Sequence, residues 1–443
     1  MKKKGIILPI FSLPSKFGIG DFGNEAYEFI DILSNNNIDY WQILPINACN
    51  KLPYSPISYY ALNEDYISLE KLKEIGLINN PKEREISSRA QYDNYKEKYY
   101  LEAYSNFIQD DGYNEFIKCK EINQYAEYMS KITGFGKEYY VFLQYMLYNQ
   151  WTAIKKYANS KNVEIIGDMP IYPAFDSVET TYNLKYYQTE DDAFKFEAGT
   201  PPDFYSETGQ KWNTPVYNIE EIKKNNYSYF TKRYEYYLKL FNKVRIDHFR
   251  GYDSFYKIPI GQLGIKGHYE DGLGYGFFNQ LFSNNAIKPE DFIVEDLGDI
   301  REETVALRDY YGFTGQKMIQ TSINLDNMTD DYNVIDNIMV LPGNHDSHTI
   351  YSWSKQSDNE NKLKEFLRKN NCSYNDINAG IIEYCFKSKS KIVMATVQDI
   401  IGLDDSARIN VPGTDNSKNW TWKLEDFSVF KNKIQMFKNI ESI

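Results

Sequence analysis

Four segments, far apart along the 443-residue chain, each lead an apolar run into an acidic residue or cluster: Ile165-Ile166-Gly167-Asp168, Val244-Arg245-Ile246-Asp247-His248, Ile293-Val294-Glu295-Asp296 and the stretch from Val340 to Asp346. A group of carboxylates can supply a nucleophile, a proton donor and a partner for sugar hydroxyls, which is what glycosidic-bond chemistry needs. Residues two apart in a strand face the same side, so Arg245 and Asp247 point together. A cation beside a carboxylate lowers its pKa and keeps it ionised, as a nucleophile requires. Glu295, with other carboxylates around it and partial burial, is expected to keep its proton longer and act as the general acid. In a retaining enzyme the two carboxyl groups stand roughly 5–5.5 Å apart. Asp346, in Gly343-Asn344-His345-Asp346-Ser347, is placed to bond secondary hydroxyls as the ring flattens toward an oxocarbenium ion. His248 and His345, two of only four histidines, flank these carboxylates. An Arg–Asp pair at a strand end is ordinarily structural. The convergence of four acidic strand ends favours chemistry here.

Buried parallel strands read as apolar runs. In a (β/α)₈ barrel, catalytic residues sit where those strands end, on one face. Eight runs fit that pattern: 5–8, 40–44, 164–168, 243–247, 292–295, 317–321, 338–341 and 392–397. The expected architecture is therefore α/β, a (β/α)₈ barrel spanning 1–443 as a single catalytic domain. More than a hundred residues separate the second and third strands, and 71–161 within them reads as an inserted helical subdomain. A second insertion, 172–235, holds the turn-rich stretch from Thr200 to Trp212, read as a substrate loop. The tail after the eighth strand is too short for an appended β-sandwich, so none is expected.

Lys and Arg number 50 against 62 Asp and Glu, a net charge of −12. A chain this acidic repels phosphate backbones, so no nucleic-acid partner is expected. Hydrophobic residues make up 42%, enough for a large core. No run of roughly 18 apolar residues exists, so no membrane span is expected. Cys49, Cys119, Cys372 and Cys385 form no C-x-x-C pair and no zinc spacing, which suits a reduced, cytoplasmic protein. The basic start, Lys2-Lys3-Lys4, precedes an apolar stretch broken by Pro9 and Pro14. It is read as the first barrel strand rather than a signal peptide. The 40 Tyr and 26 Phe suit sugar faces, but abundant Asn, Lys and Ile beside them point mainly to compositional bias.

At these residues the chain resembles the 4-α-glucanotransferases, the amylomaltases or disproportionating enzymes related to the α-amylases. The likeness runs through Gly5 to Gly23, Trp41-Gln42-Ile43-Leu44-Pro45, Gly167-Asp168-Met169-Pro170-Ile171, Pro201 to Trp212, Val244 to Gly251, Glu295-Asp296-Leu297-Gly298, His345-Asp346 and Asn419-Trp420-Thr421-Trp422. Any one is weak, and all in order are specific. The resemblance implies transfer of α-1,4-glucan segments between chains, without cofactor or metal, by a monomer or homodimer. Asp247 falls on the family nucleophile, Glu295 on the acid/base and Asp346 on the transition-state stabiliser. Arg245, His248, His345 and Asp168 fall on positions around the donor glucose. Asp203, Gln210 and Trp212 fall on the glucan-contacting loop, with Phe204 and Tyr205 as its aromatic tip, and Ser55 and Asn419 on further polar contacts. The chain departs from the family at Ile57, usually aromatic, at Asn213-Thr214-Pro215, usually Gly-Asn-Pro, and at Ser347-His348.

The same carboxylates serve hydrolysis if water reaches the glycosyl enzyme before a sugar hydroxyl does. An α-glucan hydrolase is therefore the alternative on the same scaffold. A non-catalytic glucan-binding protein is the alternative of another class, and it would be expected to have lost one of the three carboxylates.

Overall fold

The apolar runs become one sheet of eight parallel strands: β1 (Lys3–Ile7), β2 (Tyr40–Gln42), β3 (Glu164–Met169), β4 (Lys243–Ile246), β5 (Phe292–Val294), β6 (Gly315–Met318), β7 (Ile338–Leu341) and β8 (Ile392–Thr396). The structure, a computed structural model, describes residues 2–437 other than 203–206, 331–336, 357, 415 and 436. The strand order is β5-β4-β3-β2-β1-β8-β7-β6. A parallel bridge from Ile293 to Thr314, with Val294 N–H donating to Thr314 O at 2.8 Å, brings β5 against the entry to β6 and rounds the sheet into a barrel. This is the expected (β/α)₈ fold.

Alternation along the strands divides the apolar residues into two cores. Ile7, Tyr40, Ile166, Ile293, Met339, Leu341, Ile392 and Met394 form a separate cluster, the barrel interior. Their neighbours Ile6, Trp41, Ile165, Phe292, Val294, Ile338, Val340 and Val393 join the larger core between the sheet and its helices. Two glycines allow these layers to close. A Cβ on Gly5 would lie 2.1 Å from Met394 Sδ, and one on Gly167 would lie 2.2 Å from the Phe241 ring.

The sixth strand differs from expectation. It runs Gly315–Met318, not 317–321, and Ile319–Ser322 is already helical. Gly315 and Gln316 carry no apolar signal because Asp296 presses on them: its Oδ1 accepts Gln316 N–H at 2.6 Å, and a Cβ on Gly315 would lie 2.8 Å from its Oδ2. The apolar pair Met318-Ile319 marks the strand's exit.

Between β2 and β3 lie helices that include α1 (Leu69–Glu74), α2 (Glu97–Asn106), α3 (Asp111–Phe116), α4 (Lys120–Thr133) and α5 (Lys137–Ser160). The long α5 binds them to the barrel. Gln144 clasps both backbone groups of Leu62 at 2.8 Å, and the Trp151 indole donates to Leu240 O at 3.0 Å. Between β3 and β4 the turn-rich stretch is more ordered than its sequence reads. Phe196–Thr200 and Gln210–Pro215 pair with Ser254–Pro259 and His268–Asp271 from the next connection in a four-stranded antiparallel sheet. Among the described residues no helix is long and apolar enough to cross a membrane.

Gly5→Ala is expected to destabilise the fold by about 1–3 kcal/mol, the usual cost of overpacking. Met394 can yield, but Tyr40 Cβ, 2.9 Å from the new methyl, cannot. A thermal melt would show the loss, and an unchanged Tm would mean the interior is not packed this tightly.

Candidate active site

β3 and β4 pair with Asp168 opposite Arg245, so register alone sets these two side chains together at the top of the barrel interior. Arg245 is 3% exposed and Asp168 is 0% exposed. One guanidinium nitrogen of Arg245 donates to both Asp168 oxygens, at 2.7 and 2.9 Å, and to Asp247 Oδ1 at 3.1 Å. The other lies 3.7 Å from Glu295 Oε2. Burial opposes the guanidinium's charge, but Asp168 and its neighbours outweigh that and hold it firmly protonated.

Past the strand ends, the backbone laces β4 to β5. Glu295 N–H donates to Ile246 O at 2.9 Å, and Phe249 N–H donates to Glu295 O at 2.9 Å. His248 N–H donates to Glu295 Oε2 at 2.7 Å. To make that bond His248 sits at φ +46°, uncommon for a residue with a side chain. Its ring meets Trp212 edge to face, centroids 4.7 Å apart, which ties the antiparallel sheet to the pocket.

Asp346 stands on the turn after β7. Asn344 Oδ1 accepts N–H from Asp346 and Ser347 at 2.9 and 3.2 Å, a side chain closing its own turn. Asn410 Nδ2 donates to Asp346 Oδ1 at 2.7 Å, and Asn410 N–H donates to His345 O at 2.9 Å. Arg408 donates to Asp346 O. His345 Nε2 lies 3.4 Å from Asp346 Oδ2. Its ring stacks on Tyr54, centroids 5.1 Å apart, and the Tyr54 hydroxyl donates to Asp168 Oδ2 at 2.6 Å. Asp168, Asp247, Glu295 and Asp346 therefore share one pocket with Arg245, His248 and His345.

One electrostatic expectation is corrected. Arg245 does not hold Asp247 below the ordinary range. Burial pushes Asp247 up to about 7, and Asp168 and Asp346 add to burial against the pull of Arg245. Glu295 goes further, to about 8, for the same reason, with Asp247 among the charges beside it. Enclosure and acidic neighbours together oppose the simultaneous ionisation of Asp247 and Glu295. The two groups are raised together, by burial first. Burial lowers His248 to about 4 and lowers His345 as well, so both rings are neutral near pH 7.

Of the remaining expected contacts, Trp212 reaches this centre through the His248 ring. Trp212 is half-buried on Gln210–Pro215, and Gln210 starts that strand opposite Thr200. Ser55 follows Tyr54 in a turn closed by Ser55 N–H to Leu52 O at 3.0 Å. The Asn419 amide serves its own loop, accepting Val411 N–H at 3.1 Å and donating to Thr414 O at 3.2 Å. The neighbouring Trp420 reaches the site instead, 5.6 Å from Tyr54 and 5.9 Å from His345. Asp203, Phe204 and Tyr205 lie outside the described residues. Tyr54, Asn410 and Arg408 escaped the sequence reading, and Trp420 entered it only within the Asn419-Trp420-Thr421-Trp422 motif, without a role of its own. The Pro53-Tyr54-Ser55-Pro56 run was the one available signal for Tyr54.

Each departure from the family pattern has a defined place in the fold. Asn213 takes φ +53° where the strand bulges against Glu197 and Gly199, and Asn tolerates that conformation best after Gly. Ile57 is buried, its backbone bonded to Ala48 and Val178. His348 faces Asp405 and Arg408, in the brace behind Asp346. Among the described residues no group of three His, Cys, Asp or Glu side chains could hold a metal ion.

Comparison with known proteins agrees with this geometry. The sequence pattern of 4-alpha-glucanotransferases matches residues 8–138 and 136–429. A 4-alpha-glucanotransferase of Aquifex aeolicus is 31% identical over 99% of this chain and 99% of its own length. One from Streptococcus pneumoniae is 32% identical over 96% and 94%. The amylomaltase of Streptococcus agalactiae, solved in complex with acarbose, superposes with a TM-score of 0.91 at 25% identity, covering 99% of this chain and 98% of the other. This chain belongs to the 4-alpha-glucanotransferase family.

Proposed function

We propose that the pocket moves a segment of an α-1,4-glucan from one chain to the 4-OH of another by a retaining double displacement. The observation that carries the roles is the shared guanidinium. Asp247 lies closer to Arg245 than Glu295 does and gives up its proton first. When both groups are in their working states, Asp247 is ionised and Glu295 still holds a proton.

In the first step the Asp247 carboxylate attacks the anomeric carbon. The bond to the leaving oxygen breaks, and Glu295 gives that oxygen its proton. The glycosyl unit is then held as an ester on Asp247. In the second step ionised Glu295 takes the proton of the acceptor 4-OH as that oxygen displaces Asp247. Asp346, aimed by Asn410 and Arg408, grips the donor sugar's hydroxyls beside neutral His345. Asp168 and Tyr54 keep Arg245 in place beneath them. Gln210 and Trp212 are assigned to contact the glucan together with Asp203, and the rings of Phe204, Tyr205 and Trp212 to keep water from the ester. Ser55 adds to the polar lining, and Asn419 acts by holding the loop that carries Trp420. Maltooligosaccharides and starch or glycogen fragments are the substrates, met in the cytoplasm by a monomer or homodimer.

Maltotriose alone should become a ladder of shorter and longer maltodextrins plus glucose, at nearly constant reducing ends. Rising reducing ends with only shorter products would make the protein a hydrolase. Asp247→Ala should lower this turnover on the order of 10⁴-fold or more, with folding intact by circular dichroism, and substantial residual transfer would remove Asp247 as nucleophile.

The pH profile is set by the same shifts. Asp247 must be ionised to attack. With its pKa raised to about 7, that form is lost as pH falls below neutrality. The acid limb of kcat/KM is therefore expected well above the ordinary carboxylate value of about 4, and the alkaline limb reflects loss of the Glu295 proton. An acid limb near pH 4 would contradict this electrostatic picture.

A further inference from the structure

β5 ends the row of ladder-paired strands, so Glu295 stands at the seam of the barrel. On the β4 side it is well held. Three register pairs lead up to it, and its own N–H and C=O continue the lacing to Ile246 and Phe249. On the β6 side, among the described residues, the two strands share a single backbone bridge, Ile293 to Thr314. A side chain makes the next rung. By alternation from Ile293 in the interior, Glu295 points in and Asp296 points out. Asp296 Oδ1 accepts Gln316 N–H at 2.6 Å, and Arg308, on the helix Glu302–Tyr311, donates to its Oδ2 at 2.5 Å. Asp296, Arg308 and Gln316 are all buried. Gly315 leaves the space, since a Cβ there would lie 2.8 Å from Asp296 Oδ2 and 3.0 Å from Arg308 Cδ. Gln316 in turn reaches the central cation, its Oε1 accepting from Arg245 Nε at 3.4 Å.

We propose that Asp296 is a positioning residue for the reaction: by tying the end of β5 to Gln316 and Arg308 across the seam, it fixes where the Glu295 carboxyl stands. The proposal rests on the reading of Glu295 as the acid/base. Two apolar side chains could fill the seam without taking charges out of water. A carboxylate adds direction, because its oxygens must meet a guanidinium on one side and a backbone N–H on the other. That direction matters one residue away. Proton transfer needs the Glu295 oxygen within roughly 2.6–3.2 Å of the glycosidic oxygen, and a displacement of about 1 Å can cost about 100-fold in rate. The nucleophile is secured differently. Asp247 follows β4, which is paired on both sides, and its own N–H donates to Met169 O at 3.2 Å. Disturbing the seam should therefore harm the acid/base step and spare the attack.

The test compares two donors in Asp296→Asn. The amide keeps the size and loses the charge, and Arg308 retains Asp309 as counter-ion, its Nε donating to Asp309 Oδ1 at 2.8 Å. With maltotriose, whose leaving sugar needs a proton, kcat is expected to fall about 100-fold at little-changed KM. With α-maltosyl fluoride, whose leaving group needs no acid, the first equivalent of fluoride should appear within about threefold of the parent rate. A general loosening of the fold would slow both donors alike. Equal losses, or no loss with maltotriose, would overturn the proposal. If Asp296→Asn does not fold, Arg308→Lys, which keeps a cation but not the fork, reports the same contrast, and the same two outcomes overturn it. Maltotriose products of the unaltered protein are read in parallel. Hydrolysis in place of redistribution removes the transferase reading and leaves the donor contrast readable, because both reactions share the first step. Redistribution by the parent with equal losses in the variant removes this inference alone.

Discussion

The pocket depends on one buried guanidinium. Arg245 projects into the top of the barrel interior, and β3–β4 register places Asp168 opposite it. Taking such a pair out of water is costly, and it is tolerated only with good geometry and filled hydrogen bonds. Asp168 meets both conditions, because it accepts twice from Arg245 and once from Tyr54. Losing one partner of a buried pair costs about 3–5 kcal/mol, so this layer anchors the fold as well as the chemistry.

From that anchor comes the different behaviour of Asp247 and Glu295. Both reach the same cation, but Asp247 stands at 3.1 Å and Glu295 at 3.7 Å. Enclosure raises both, and the acidic neighbours add to it. The nearer approach of Asp247 to the fixed charge is the geometric difference between two similar acids. Asp346 is held independently, by Asn410 and Arg408 from the far end of the chain.

How far the sequence anticipates the structure depends on the range of each interaction. Buried parallel strands read as apolar runs, so seven of the eight stand close to where the chain marks them, and the acidic residues beside them fall where barrel geometry puts chemistry. β6 is displaced in the reading because its first residues are shaped by Asp296, a contact made only in the fold. Arg245 beside Asp247 is legible from spacing, but the burial that reverses the expected shift of Asp247 is not. Asn410 and Arg408 reach the site through long connections and nothing local marks them, while Tyr54 and Trp420 are marked only by a proline-flanked run and by the Asn419-Trp420-Thr421-Trp422 motif. The departure at Asn213 becomes intelligible only with its backbone angle, which restores what a glycine would have provided.

The central claim is that Asp247 carries the sugar between the two displacements. The most direct measurement treats a Glu295→Gln variant with α-maltosyl fluoride, whose leaving group needs no acid, and tracks the intact mass and the modified peptide. With no base to activate the acceptor, a maltosyl ester should accumulate on the peptide holding Asp247. A sugar on Asp346 or another residue, or release of fluoride with no adduct at all, would contradict the account.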